Sequence, residues 1–211
     1  MINIIKILME HGFSGYLILF TGVICIFLSL ERIYFLYIKW AGNFKGELDL
    51  VAKEISNRNY KNALQICNTK PTSFQLSIVK SGIMAMESGR EGMNSAINAE
   101  VLDVAKKVEN RLPYLSLIAS SATLLGLFGT IMGLISTFAA IANADPSTKS
   151  KLLGLGISQA MYSTAAGVIV GIVAMVVHTI CISKADELTG EAQNIALNLV
   201  KWIEHSERKN G

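Results

Sequence analysis

Residues 112–144 read LPYLSLIASSATLLGLFGTIMGLISTFAAIANA and contain no Asp, Glu, Lys or Arg. Two further stretches, residues 12–30 and 152–183, lack these charged residues in the same way. About 20 consecutive apolar residues span a bilayer as a helix, whereas a buried helix of a soluble protein needs only about 10–14. The three stretches therefore predict three transmembrane helices in a lipid bilayer and argue against a soluble enzyme.

Composition and charge agree with a membrane protein. Of the 211 residues, 51% are hydrophobic and 17% are charged, against about 25% charged in ordinary soluble domains. The net charge of +3 is small, and no run of Lys and Arg with interleaved aromatic residues is present, so we expect no nucleic-acid partner. Cys25, Cys67 and Cys181 fit neither metal-binding nor disulfide spacing, so we expect apolar fillers and no metal site.

The pattern between the apolar stretches is helical, so the predicted fold class is an all-α membrane protein. Helices 2 and 3 exceed the thickness of a bilayer and are expected to extend into the cytoplasm. The stripe of apolar residues that begins at Met93 is expected to run through Arg111 into helix 2, with a kink at Pro113. The predicted order is an outer N-terminus (1–11), transmembrane helix 1 (12–38), a cytoplasmic helical segment (39–111), transmembrane helix 2 (112–142), a periplasmic turn (143–151), transmembrane helix 3 (152–183) and a cytoplasmic C-terminal helix (184–211).

The distribution of Lys and Arg predicts the orientation. Fifteen of these residues lie in residues 39–111 and from Lys184 onwards, and three lie on the other side, at Lys6, Lys149 and Lys151. By the positive-inside rule, the middle segment and the C-terminus face the cytoplasm, and the N-terminus faces the periplasm. The tail also carries a seam that is expected to pack on the cytoplasmic helices or on a neighbouring copy, formed by Leu188, Ala192, Ile195, Leu199 and Trp202.

Polar residues recur inside the apolar stretches. Helix 2 has a hydroxyl residue at every seventh position, and this spacing places them on one face because it drifts only about 20° per step. That face meets either a polar lumen or partner helix, or simply another helix of the same chain. His178 in helix 3 either relays protons or reaches the membrane interface. The candidate pore-lining residues are Ser116, Thr123, Thr130, Thr137, Gln159 and Thr164.

Small residues predict close helix packing. GxxxG pairs let membrane helices approach backbone to backbone, and helices 2 and 3 each contain one: Gly129 with Gly133, and Gly167 with Gly171. Further small surface comes from Gly126, Gly154 and Gly156. Neither helix contains Asp or Glu, so a carboxylate for ion conduction would have to come from another chain.

Enzyme motifs are weak. Residues 156–160 read GISQA and resemble the start of a nucleophile elbow without its final Gly. Ser158 and His178 lie on one predicted helix, about 30 Å apart at 1.5 Å per residue, which is too far for a catalytic dyad. We therefore expect no catalytic residues, no cofactor and no enzyme activity.

Two stretches resemble the signature of the MotA/TolQ/ExbB proton-channel family: LSLIASSATLLGLFGTIMG at residues 115–133 and GISQAMYSTAAG at residues 156–167. The Leu30-Glu31-Arg32 junction is similar to the ExbB/TolQ branch. The resemblance implies a homopentamer in the bacterial inner membrane, with an ExbD/TolR-like dimer whose single helices carry an Asp inside the pore. It further implies that Thr130 and Thr164 are pore threonines.

The function implied by this resemblance is a stator-like subunit that uses the proton motive force to energise a periplasmic or outer-membrane process. The transported ion is the proton, with Na⁺ as the open alternative. The sequence departs from the branch where Gln159 replaces Glu, Thr123 and Val173 replace prolines, and His178 replaces Tyr. The alternative function is a non-conducting membrane scaffold that organises a partner complex, and an intramembrane hydrolase is a distant third.

Overall fold

A computed structural model describes residues 13–40, 42, 44–70 and 73–208. The predicted outer N-terminus, residues 1–11, lies outside the described residues. Within the described ranges every regular element is a helix, which confirms the all-α prediction. Three helical stretches are long and apolar enough to cross a membrane, Gly15–Lys39, Met86–Ala142 and Pro146–Ser206.

The helices follow one another with short connections. They are α1 (Phe13–Tyr34, continued by a π-helical turn, Phe35–Lys39), α2 (Lys45–Ser56), α3 (Tyr60–Thr69), α4 (Phe74–Met84, followed by a 3₁₀ turn, Met86–Ser88), α5 (Gly89–Glu109), α6 (Leu112–Ala142) and α7 (Pro146–Arg208). The chain divides into two compact units. Among the described residues, the first unit comprises residues 13–32 and 111–180, and the second comprises residues 33–110 and 181–208.

The helix bounds agree with the sequence for α6 and differ for α7. The predicted span 112–142 coincides with α6, whereas the predicted helix 152–183 and the described part of the predicted helix 184–211, up to Arg208, belong to one continuous helix of 63 residues. The boundary predicted at residue 183 rests on the charged residues that follow it. Such residues favour water over lipid but do not end a helix, since only Gly and Pro strongly disfavour helical backbone. The turn predicted at 143–151 is shorter, because Pro146 starts α7 and has no N–H that requires a partner there.

The helix is interrupted between α5 and α6, where the sequence predicts a continuous helix. Arg111 has left-handed backbone geometry, with φ 65°, and Pro113 lies in the first turn of α6. A proline ring clashes with the carbonyl of the fourth preceding residue, so α5 cannot continue through Pro113. The predicted kink at Pro113 is therefore wrong, since this residue begins a helix instead of bending one.

The first unit has a small core and an apolar surface. Cys25 of α1 packs with Ile118 and Ala119 of α6 and Ala174 of α7. Many of its large apolar side chains are exposed instead. Phe20, for example, is 66% exposed. Apolar surface of this extent marks contact with lipid or with other protein, as the prediction of transmembrane helices requires.

The second unit has the opposite arrangement, with amphipathic helices around an apolar core. Most of the predicted tail seam of α7 is buried there, and Trp202 is half-buried. A Cβ atom at Gly82 of α4 would lie 2.5 Å from Cδ2 of Leu199 and 3.0 Å from Cγ1 of Ile97 in α5. Of the two alternatives for the seam, the structure therefore has packing against helices of the same chain.

Cys67 in α3 is expected to resist thiol reagents in the folded protein. It is 3% exposed, and desolvation by burial raises the pKa of its thiol from 9.0 to about 11. The reactive species is the thiolate, whose fraction at neutral pH falls about 100-fold with this shift. In a Cys25→Ala/Cys181→Ala variant, maleimide labelling of Cys67 at pH 7.5 should be slow until the protein is unfolded.

The matched control for this labelling is Ser95→Cys in α5, an exposed position, in a chain without other cysteines. It should label rapidly under the same conditions. Equal labelling rates for the two thiols in the folded protein would contradict the burial of Cys67.

Candidate functional site

The stripe of hydroxyl residues in α6 runs along the contact with α7. A Cβ atom built on Gly171 would lie 2.8 Å from Oγ1 of Thr123, and one built on Gly156 would collide with Thr137. Thr130 lies between these two contacts along α6. Because positions further along α6 meet positions earlier in α7, the two helices are antiparallel.

Thr130 and Thr164 form a hydroxyl pair across this contact. Their Oγ1 atoms are hydrogen-bonded to each other. The Thr164 hydroxyl donates to the carbonyl oxygen of Gly126 at 3.1 Å. The Thr130 hydroxyl reaches the carbonyl oxygens of Gly126 at 3.3 Å and Ala160 at 3.4 Å. Both threonines are half-buried, so four oxygen atoms gather at a point that the chain leaves partly open.

Two glycines allow the helices to come this close. A Cβ atom at Gly167 would lie 2.5 Å from the carbonyl oxygen of Ala122 and 2.8 Å from Cα of Gly126. One at Gly126 would lie 3.0 Å from the carbonyl oxygen of Ser163. These neighbours are backbone atoms, which cannot rotate away. The missing side chains at both positions therefore bring the carbonyl of Gly126 within reach of Thr164.

The other predicted packing glycines are also accounted for. Gly133 meets Ala160, where a Cβ atom would lie 2.9 Å from the alanine Cβ. At Gly171 a Cβ atom would lie 2.9 Å from the carbonyl oxygen of Ala119. Gly129 is buried within α6. Of the two predicted GxxxG pairs, Gly133, Gly167 and Gly171 thus lie directly at the helix contact.

The GxxxG pairs do not capture a second signal for this contact, which is a spacing of seven among the small residues. Gly126 and Ala160 lie at the contact but belong to no GxxxG pair. An antiparallel pair of helices repeats its contact about every seven residues, so the relevant signal was the heptad spacing rather than GxxxG. The residues with this spacing are Ala119, Gly126 and Gly133 in α6, and Ala160, Gly167 and Ala174 in α7.

Two other hydroxyls of the stripe bond to their own helix. Thr137 donates to the carbonyl oxygen of Gly133 at 2.7 Å and is 9% exposed. Thr123 donates to the carbonyl oxygen of Ala119 at 3.4 Å. Such bonds to the preceding turn are common for threonine in helices. The burial of Thr137 favours the packing alternative for that residue, whereas Thr123 stays exposed.

Three predicted candidates lie apart from the hydroxyl pair. Ser116 and Gln159 are exposed, and within the described part of the chain no hydrogen bond joins them to the pair. His178 is half-buried and follows Thr164 by fourteen residues, which is about 21 Å along a helix. The roles of Ser116 and Gln159 as pore-lining residues, and of His178 as a relay, stay predictions. They concern contacts with other molecules.

Glu31, a carboxylate of the first unit, is part of an ion-pair cluster. Oε1 of Glu31 accepts a hydrogen bond from Nη1 of Arg111 at 2.7 Å and another from Nη2 of Arg32 at 3.2 Å. These contacts tie the end of α1 to the start of α6. Glu31 is therefore engaged in a structural ion pair, as its position beside Arg32 suggests.

The chemistry available at the hydroxyl pair follows from these residue types. A threonine hydroxyl both donates and accepts hydrogen bonds but does not ionise near neutral pH. No Asp or Glu lies in residues 112–144 or 152–183. No group of three or more His, Cys, Asp or Glu suited to a metal ion occurs among the residues that the structure covers. The pair can thus bind a carboxyl group, a water chain or a cation, but it cannot carry a proton by titration.

Comparison with known proteins assigns the family. Residues 68–194, more than half of the chain and including the hydroxyl pair, match the MotA/TolQ/ExbB proton channel family. The chain belongs to this family. Its ExbB/TolQ-like branch, which the sequence motifs suggest, is supported by curated relatives named TolQ and ExbB.

Three of these MotA/TolQ/ExbB relatives illustrate the similarity. The Tol-Pal system protein TolQ of Haemophilus influenzae is 35% identical over 86 residues, which cover 41% of this chain and 36% of the relative. TolQ of Pseudomonas aeruginosa is 27% identical over 106 residues, covering 50% and 46%. The biopolymer transport protein exbB1 of Vibrio cholerae is 35% identical over 94 residues, covering 44% and 41%. The chain thus spans less than half the length of each relative.

Proposed function

We propose that the chain is an inner-membrane subunit of a motor driven by the proton motive force, and that the motor energises a periplasmic or outer-membrane process. The hydroxyl pair, Thr130 and Thr164, lies on its ion path. The observation that supports this proposal is the gathering of two hydroxyl and two carbonyl oxygens, partly open to other molecules. They lie between residues 112–144 of α6 and residues 152–183 of α7, stretches that contain no Asp or Glu. Moving one charge through such a path releases about 2.3 kcal/mol per 100 mV.

The proposal requires a second polypeptide. A proton path within a membrane needs a titratable group, and residues 112–144 and 152–183 contain no carboxylate. We infer an ExbD/TolR-like partner, a dimer of single helices that each carry an Asp, enclosed by a homopentamer of this chain. The names of the relatives, which refer to a Tol-Pal system and to biopolymer transport, support a partner of this kind.

The proposed orientation follows the charge distribution. Residues 39–111 and the C-terminus face the cytoplasm, and the N-terminus and the turn before α7 face the periplasm, because Lys and Arg concentrate on the cytoplasmic side. An exposed cysteine at position 95 is then accessible to membrane-impermeant reagents only from the cytoplasm.

A non-conducting scaffold is the second candidate. It is favoured by one observation: both threonine hydroxyls find hydrogen-bond partners within the chain, so the contact between α6 and α7 is complete without an ion. In this case the chain would organise partner proteins through its helices, and its cellular task would not depend on the proton motive force.

Ion flux in proteoliposomes distinguishes the two candidates. The chain is purified with the co-expressed single-helix partner, and proton uptake is followed with a pH-sensitive dye under a potassium diffusion potential. We expect flux from the complex and none from the chain alone, because the chain lacks the titrating acid. Replacing Na⁺ by choline in the same assay distinguishes protons from Na⁺.

A partner variant with Asn in place of its membrane Asp serves as the control and should abolish flux while the complex still assembles. A complex that assembles, carries the Asp and conducts no ion would overturn the motor proposal in favour of the scaffold.

A further inference from the structure

The hydroxyl pair has more hydrogen-bond acceptors than protons. Thr130 and Thr164 supply two hydroxyl protons. Three acceptors lie within reach: the carbonyl oxygens of Gly126 and Ala160, and the hydroxyl oxygen of the other threonine. Each proton therefore has an acceptor inside the chain, and the hydroxyl oxygens keep lone pairs for a group from outside.

The two carbonyls do not depend on the hydroxyls. Gly126 and Ala160 lie inside helices α6 and α7, where each carbonyl already accepts the N–H of the fourth following residue. A hydroxyl that turns away from such a carbonyl leaves no backbone group unpaired. The hydroxyl protons can thus be redirected to another acceptor at little cost.

We propose that, when a carboxyl group of the partner polypeptide reaches the hydroxyl pair, the Gly126 carbonyl accepts the hydrogen bond of the Thr164 hydroxyl while the acid is neutral and loses this bond to the carboxylate when the acid ionises. The neutral acid donates its proton to a threonine oxygen. When the acid loses that proton to water, the Thr164 hydroxyl turns from Gly126 to the carboxylate. Only hydrogen bonds change at the threonines. This inference rests on the proposed function and makes Gly126 and Gly167 positioning residues.

Within residues 112–144 and 152–183, the other titratable side chains are Tyr114, Tyr162, His178 and Cys181. On α7, Tyr162 precedes Thr164 by two residues, which places it on another side of the helix, and His178 lies about 21 Å along the axis. On α1, Cys25 packs against Ile118 and Ala119, and Tyr16 is exposed. The test includes His178→Gln, which removes the imidazole of α7 and should keep the wild-type pH midpoint.

The first arm of the test removes the donor. In the reconstituted complex, Thr164→Val deprives the carboxylate of a charge-assisted hydrogen bond and the neutral acid of a weaker one. The ionised form of the acid loses more stabilisation than the neutral form, so the midpoint of the flux–pH profile should rise by about one pH unit. Rescue by Thr164→Ser, which restores the hydroxyl, should bring the midpoint back towards its original value.

The second arm weakens the Gly126 carbonyl and keeps both threonines. Leu127 is replaced by its α-hydroxy acid, which turns the Gly126–Leu127 amide into an ester whose carbonyl is a poorer acceptor. The Thr164 hydroxyl is then held less firmly by Gly126 and is freer to donate to the carboxylate. The ionised acid is stabilised, so the midpoint of the flux–pH profile should fall by about half a pH unit. The matched control is the same change at Leu155, since a Cβ atom at Gly154 would have no neighbour within 4 Å.

Shifts in opposite directions, upward for Thr164→Val and downward for the ester at Leu127, support the inference. An unshifted midpoint for the ester at Leu127, or the same shift for the ester at Leu155, overturns it and leaves the motor proposal standing. Wild-type flux and midpoint in Thr164→Val overturn the proposed function itself. The ester at Leu127 tests the inference even if Thr164→Val conducts too little for its flux–pH profile to be measured.

Discussion

Gly167→Ala is expected to open the contact between α6 and α7 and to lower both the thermal stability and the ion flux of the complex. The added Cβ would lie 2.5 Å from the carbonyl oxygen of Ala122 and 2.8 Å from Cα of Gly126. Because both neighbours are backbone atoms, the helices must separate. Overpacking of this kind costs about 1–3 kcal/mol. The separation also lengthens the 3.1 Å hydrogen bond from Thr164 to Gly126.

Circular dichroism of the detergent-solubilised protein measures the first effect as a fall of several degrees in Tm. The matched control is Gly154→Ala in the same helix, where the new Cβ would have no neighbour within 4 Å. That control should be neutral or slightly stabilising, because alanine favours helix over glycine by about 1 kcal/mol. Equal Tm values for the Gly167 and Gly154 variants would contradict the close approach of the two backbones.

Thr130→Val/Thr164→Val is expected to reduce ion flux by about 100-fold or more while the fold persists. Valine keeps the branched shape of threonine but removes both hydroxyls, so a carboxylate at this point loses two charge-assisted hydrogen bonds. Each such bond contributes about 1.5–3 kcal/mol. Dye-detected proton uptake into proteoliposomes measures the loss, with equal amounts of assembled complex in each sample.

The control for this variant is Thr179→Val in α7. The Thr179 hydroxyl is exposed and donates to the carbonyl oxygen of Met175 in its own helix at 2.9 Å, so it takes no part in the hydroxyl pair. Flux within about twofold of the wild type is expected for a surface substitution of this kind. A comparable loss in Thr179→Val would mean that flux responds to any lost hydroxyl in the helix.

The membrane-spanning helices could be predicted because their signal is local. Charge-free length alone indicates a span, and the bounds of α6 coincide with the predicted residues 112–142. The spacing of seven in α6 likewise predicted a common face for its hydroxyls, since helical geometry fixes which residues share a face. The MotA/TolQ/ExbB family could be recognised from two short motifs, and its ExbB/TolQ-like branch from the Leu30-Glu31-Arg32 junction.

The partner of each hydroxyl could not be predicted, because it depends on how two distant segments align. Thr130 meets Thr164 only in the antiparallel register that the contact of Gly126 with Gly167 sets, and spacing within one helix carries no such information. The break at Arg111 was missed for a related reason. The apolar periodicity continues from α5 into α6 without a gap. The signal against a continuous helix is the ring of Pro113.

The central claim, that Thr130 and Thr164 act as one unit on the ion path, is tested most directly by a double-mutant cycle on proton flux. Thr130→Val, Thr164→Val and the double variant are compared with the wild-type complex at equal content in the same liposomes. Because the two hydroxyls share one network, each single variant should already lose a large part of the flux. The loss in the double variant should be smaller than the product of the single losses, by a factor that corresponds to at least about 1 kcal/mol of coupling. Strictly multiplicative losses, or wild-type flux in either single variant, would contradict the claim.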